Sequence, residues 1–310
     1  MGVFSVIILI LFLVFPEFAS NGATRNLALC GTSVIGSIFP FMVASKMIVS
    51  SHIIKKDSVF VKGIAKIFNI SASGAICLIL GLLCGYPVGQ KMLINMYDEG
   101  EITLGEVKKL SLFANNAGPA FVISTVGATF FKSTKTGIII YFSHIAGSLI
   151  TGFILKFFTN RYDMVASFEN KTPHSPTLLI DSIRDGALSM LNVAAIITFF
   201  GALTGILEGT KILDSLTMIF PEPAAAKAVI CGLLEMTTGL SLLASTAVSH
   251  SLKIIVAAML ISFSGLSVFA QIKAFCGNKS ISLTNIIIAK GFSAVLSGII
   301  AGIINILFTY

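Results

Sequence analysis

Apolar runs follow one another along this chain with no interval long enough for a soluble domain. They cover residues 3–15, 27–49, 72–94, 110–131, 137–158, 187–207, 228–248, 254–272 and 286–308. Several match the roughly 20 residues that a helix needs to cross a hydrocarbon core. Charged residues make up 11% of the chain, against about 25% in a soluble domain. The fold class expected is therefore all-α, a polytopic membrane protein.

The run at 3–15 has no basic residue ahead of it, and Pro16-Glu17-Phe18 stands where a cleavage site would fall. It reads as a retained leading span, residues 1–23, rather than a signal peptide. The net charge of +7 suits loops beside anionic lipid and does not suggest nucleic acid. Five cysteines lie in or beside apolar segments without CxxC spacing, which points to packing rather than metal binding. No metal and no cofactor is expected.

The chain also resembles itself. Thr24-Arg25-Asn26-Leu27-Ala28-Leu29 answers Ile183-Arg184-Asp185-Gly186-Ala187-Leu188, and Gly81-Leu82-Leu83 answers Gly232-Leu233-Leu234. The resulting division is a membrane repeat at 24–159, a polar linker at 160–182 carrying Pro173 and Pro176, and a second membrane repeat at 183–310.

If every run crossed, the loop lysines and arginines would divide almost evenly between the two faces. If 72–94 and 228–248 are instead re-entrant hairpins, basic residues favour one face roughly two to one, as the positive-inside rule asks. About seven transmembrane helices plus two hairpins then make an inverted repeat, with the linker in the cytoplasm. Gly85-Tyr86-Pro87 would turn the first hairpin and Thr237-Thr238-Gly239 the second. A kinked ordinary span is the alternative.

Candidate site residues gather where helices are interrupted, because freed backbone at membrane depth must face protein or a cavity. They are Gly85, Tyr86, Pro87 and Gly89 at the first tip, and Asn115, Asn116, Gly118 and Pro119 at a break. In the second half they are Glu235, Gly239, Gly265, Ser267 and Gln271. Tyr86 either stacks on a planar ligand or fills a gap. Glu235, a carboxylate among apolar residues, either binds a solute or cation or is neutralised by Lys290 or Lys46. His144 reads as a hydrogen-bonding link between helices, and Lys91 as a side chain reaching for the interface. With no phosphate loop, HExxH or Ser-His-Asp spacing, an enzyme is not expected.

Phe39-Pro40-Phe41, Gly85-Tyr86-Pro87-Val88-Gly89, Asn115-Asn116-Ala117-Gly118-Pro119, Gly232-Leu233-Leu234-Glu235 and Gly265-Leu266-Ser267-Val268-Phe269-Ala270-Gln271 together resemble the YlbJ-type sporulation integral membrane proteins of endospore-forming bacteria. That family is grouped with the nucleoside-recognition, or Gate, domains, which also occur in concentrative nucleoside transporters and in the ferrous-iron transporter FeoB. The resemblance implies a transporter-like core in a protein of spore-cortex formation, located in the cell or forespore membrane. The Gln-Thr-Glu type of hairpin signature found in nucleoside transporters is missing, so a nucleoside is not implied as the substrate.

The function expected is movement of a small polar solute by alternating access around paired hairpins. The alternative is a non-transporting scaffold that recruits cortex-assembly partners. The partners expected are the lipid bilayer and that solute, with a homo-oligomer left open.

Overall fold

The computed structural model describes residues 2–51, 53–158 and 177–309, so the greater part of the expected linker lies outside the described residues. All regular structure among them is helical. The first half begins with α1 (Gly2–Val14), which buries no residue and presents its leucines and isoleucines outward as a lipid-facing helix would. Pro16 then opens α2 (Pro16–Leu29) at a position where its missing amide proton costs nothing. A π-helical turn at Cys30–Val34 carries α2 into α3 (Ile35–Ser50), so that 35 residues form one rod.

Beyond the rod, α4 (Val59–Phe68) ends on left-handed Asn69, and the chain turns by 92° into α5 (Ala72–Cys84). Gly85-Tyr86-Pro87 reverses it into α6 (Val88–Asp98). After α7 (Leu104–Leu110) the helix is lost through Gly118, resumes at Pro119 with a π-helical segment at Ala120–Phe130, and gives way to α8 (Thr134–Leu155).

The second half repeats this order. A long helix, α9 (Leu178–Gly209), and a short one, α10 (Ile212–Thr217), lead into the paired helices α11 (Pro223–Leu234) and α12 (Met236–Ser245). Then α13 (His250–Phe263) meets α14 (Gly265–Cys276) at left-handed Ser264, and α15 (Leu283–Thr309) closes the chain.

Among the described residues, five helical stretches are long and apolar enough to cross a membrane: Pro16–Ser50, Thr134–Leu155, Leu178–Gly209, His250–Cys276 and Leu283–Leu307. The chain is an all-α polytopic membrane protein. Against the expected seven, the count is five, or six if the bent pair Val59–Phe68 and Ala72–Cys84 is one span, while α1 and Ala120–Phe130 are shorter apolar helices of 13 and 11 residues.

Neither helix pair spans. At about 1.5 Å per residue, α11 and α12, with 12 and 10 residues, reach about 18 and 15 Å, against a core of about 30 Å. In the first pair, Ser73 at the start of α5 donates its hydroxyl to Glu101 beyond α6 at 3.2 Å, so both feet of that hairpin stand at one level. The first hairpin is buried on nearly every side, consistent with apolar residues all round α5 rather than along one stripe.

Small residues set the long helices close together. A methyl group added at Gly22 would come within 2.7 Å of Gly205 Cα, which fixes where α2 and α9 cross. Gly147 of α8 lies on Ser293 and Ser297 of α15 in the same way.

Candidate functional site

Each hairpin tip rests on a break in a neighbouring helix. Gly85, at φ +82°, turns the first tip, and a methyl group there would lie 2.6 Å from Gly118 N. Gly81 and Gly89 flank the Ala114 carbonyl below it. In the second half, Gly265, at φ +81°, seats against the Gly232 carbonyl, and Gly239 packs directly on Gly232. Gly85, Gly89, Gly118, Gly239 and Gly265 therefore act through close backbone approach. Pro87 completes the first tip through a cis Tyr86–Pro87 bond, and Pro119 starts the π-helical segment.

The second tip differs from its expected form. Its turn is made at Glu235, whose backbone is extended (φ −138°, ψ 108°), while Thr237, Thr238 and Gly239 already lie in α12. The carboxylate is the reason. Its Oε1 accepts from Thr237 N at 3.1 Å, and its Oε2 from Thr238 N at 2.7 Å and Thr238 Oγ1 at 2.8 Å. Capping two free amides and meeting the positive end of the helix dipole lets α12 begin at once.

Asn26, fully buried on α2, donates to the same Oε2 at 3.4 Å, and its Oδ1 lies 2.9 Å from Thr238 Oγ1. Lysine neutralisation of Glu235 is not observed. Lys46 pairs with Asp185 at 3.0 Å, and Lys290 reaches Asn115 and Asn116. Lys91 does not simply reach for the interface either, since it pairs with Asp185 at 2.7 Å.

Between the tips lies a small, partly open pocket. Its polar lining is Tyr86, Glu235, Thr237, Ser267 and Gln271, and Phe121, Met236 and aliphatic residues of the rod and α9 complete it. Tyr86 Oη meets Met236 Sδ at 2.5 Å across the gap, joining the two tips. Ser267 Oγ is buried without a hydrogen-bond partner. The cavity thus offers a phenol, a hydroxyl, a carboxamide and a capped carboxylate to a small polar molecule.

Asn115 and Asn116 are not among the residues lining this space. Both are fully buried at the first break. Asn116 Nδ2 donates to the Phe113 carbonyl at 2.6 Å, and the Ala117 amide donates to His144 Nε2 at 3.0 Å. His144 also meets Ser262 at 2.8 Å, linking α8 to α13. Sequence reading missed Asn26, Phe121 and Thr237 as site residues. Only Asn26 carried a signal, an amide within the polar interval Ser20-Asn21-Gly22-Ala23-Thr24-Arg25-Asn26 of a rod that otherwise crosses the bilayer.

No family model matches the chain. Among curated proteins it is 23% identical, over an alignment of 317 residues, to the sporulation integral membrane protein YlbJ of Bacillus subtilis (strain 168), covering 93% of this chain and 77% of that one. The chain is similar to YlbJ over most of its length. Among solved structures, CNTnw in an inward-facing, substrate-bound state superposes over 100% of this chain and 85% of its own, with a TM-score of 0.51 and 15% identity. At that identity the likeness is one of fold alone. The protein is an integral membrane protein.

Proposed function

We propose that this protein moves a small polar solute across a membrane of a sporulating cell by alternating access around its two hairpins. The observation that carries this is the pocket between the tips, where Tyr86, Glu235, and Ser267 with Gln271 of α14 converge from three parts of the fold. Pieces that stop partway through the bilayer can shift against the long helices and open the space first to one face and then to the other. The fold shared with CNTnw and the similarity to YlbJ support a transporter-like role in spore formation. No catalytic step belongs to this reading. The partners it names are the bilayer and the solute.

The test is flux in proteoliposomes, run with nucleosides, monovalent cations and peptidoglycan precursors as separate candidates. We expect one class to move, and Ser267→Ala with Gln271→Ala to cut that flux at least about tenfold, the equivalent of about 1.4 kcal/mol. Flux in no class would contradict the reading. The scaffold alternative wins if Ser267→Ala, Asn116→Ala and Pro119→Ala leave sporulation intact while reversal of the charges at Lys55, Lys56, Lys62 and Lys66 abolishes it.

A further inference from the structure

Lys290 lies on α15, 1% exposed, and projects into the first break. Among the described residues no carboxylate pairs with it. Its Nζ donates instead to the main-chain carbonyl of Asn115 and, at 3.3 Å, to Asn116 Oδ1. The first of these is a carbonyl set free by the loss of helix ahead of Pro119, and the second is a side-chain amide oxygen of the same break.

The surroundings supply no compensating charge. His144 accepts the Ala117 amide with Nε2, so its proton is on Nδ1 facing Ser262 Oγ, which donates to Ser297 Oγ at 2.7 Å, and the imidazole is neutral. The Phe113 carbonyl is taken by Asn116 Nδ2 and by Ser148 Oγ, each at 2.6 Å. Beside them the Asn115 carboxamide is fully buried with neither its oxygen nor its nitrogen bonded.

Released carbonyls and amide oxygens in a broken membrane helix are the ligand set that an alkali cation uses. Here the amine of Lys290 already stands among them. We propose that the Lys290 ammonium is a built-in cation, occupying the place at the first break that a free monovalent cation would otherwise take. Solute movement then needs no alkali cation at this break. The second break has no such requirement, because there a single left-handed residue, Ser264, joins two helices with its Oγ 3.4 Å from the Ile261 carbonyl.

The inference concerns the break alone, so it stands or falls separately from the solute reading. Its test is thermal unfolding of the purified full-length protein in detergent, in sodium, potassium, lithium or choline chloride at matched ionic strength. Wild type is expected to melt alike in all four, and a saturable rise with one alkali cation overturns the proposal. Lys290→Ala is expected to melt lower by about 5 °C or more, as a buried set of acceptors is left unmet. Methylammonium or an alkali cation should restore at least about half of that loss. Lys290→Met, which fills the space without charge, should melt low and respond to neither. Recovery by no cation in Lys290→Ala, or a wild-type melting point in Lys290→Met, would also overturn it. Should Lys290→Ala fail to fold, the wild-type and Lys290→Met measurements decide the matter.

Discussion

At the scale of single residues, Glu235 separates two roles that a carboxylate in the bilayer can hold. Its oxygens are engaged by Thr237, Thr238 and Asn26, so its first duty is to start α12 and shape the second tip. Glu235→Ala should destabilise the fold by about 1–3 kcal/mol, because it removes a cap and strands buried amides. Glu235→Gln, which keeps one acceptor, should lose less, and melting in detergent reads the difference. Ser267 is the converse case. Its hydroxyl is buried and unbonded, so Ser267→Ala should leave stability within about 0.5 kcal/mol or raise it, while lowering flux. A matched loss of both would mean that Ser267 is structural. The importance of Glu235 was legible because one charge interrupts a run of leucines. Its partner Asn26 was not, since 209 residues separate them and no local pattern joins them.

At the scale of elements, the hairpins depend on contacts too close for a side chain. A methyl group on Gly239 would meet the backbone of Gly232 and come within 2.7 Å of the Ala228 carbonyl. Gly239→Val should therefore cost about 1–3 kcal/mol, the range of an overpacked core, and abolish function. Gly63→Ala, in α4 with nothing within 4 Å, should stay within about 0.5 kcal/mol of wild type. Equal melting points for the two variants would remove glycine contact as the basis of the hairpin. The first turn could be read from Gly85-Tyr86-Pro87, where the proline breaks the helix and the glycine weakens it. The second was displaced from Thr237-Thr238-Gly239 to Glu235, because a side-chain cap decides where a helix begins and apolar periodicity does not. The π-helical turns at Cys30–Val34 and Ala120–Phe130 left no mark in composition that would tell them from α-helix.

At the scale of the whole molecule, the two halves share one order of elements and use it unequally. A lysine and a histidine from the closing helices α15 and α8 both serve the first break, and the second closes on a single left-handed serine. That the chain lives in a membrane was plain from its apolar runs, and the distribution of loop lysines favoured hairpins over spans. Which polar groups meet across the interior was not legible, because it depends on crossings such as Gly22 with Gly205 that bring distant segments together. The most direct measurement is the sidedness of single cysteines placed at Lys62, Asp98, Lys211 and His250, with the five native cysteines buried and so silent. Lys62→Cys and Asp98→Cys should react with an impermeant maleimide from one face, and Lys211→Cys and His250→Cys from the other. Reaction of Lys62→Cys and Asp98→Cys from opposite faces, or of Lys211→Cys and His250→Cys from opposite faces, would make that hairpin a span and contradict the cavity between two tips.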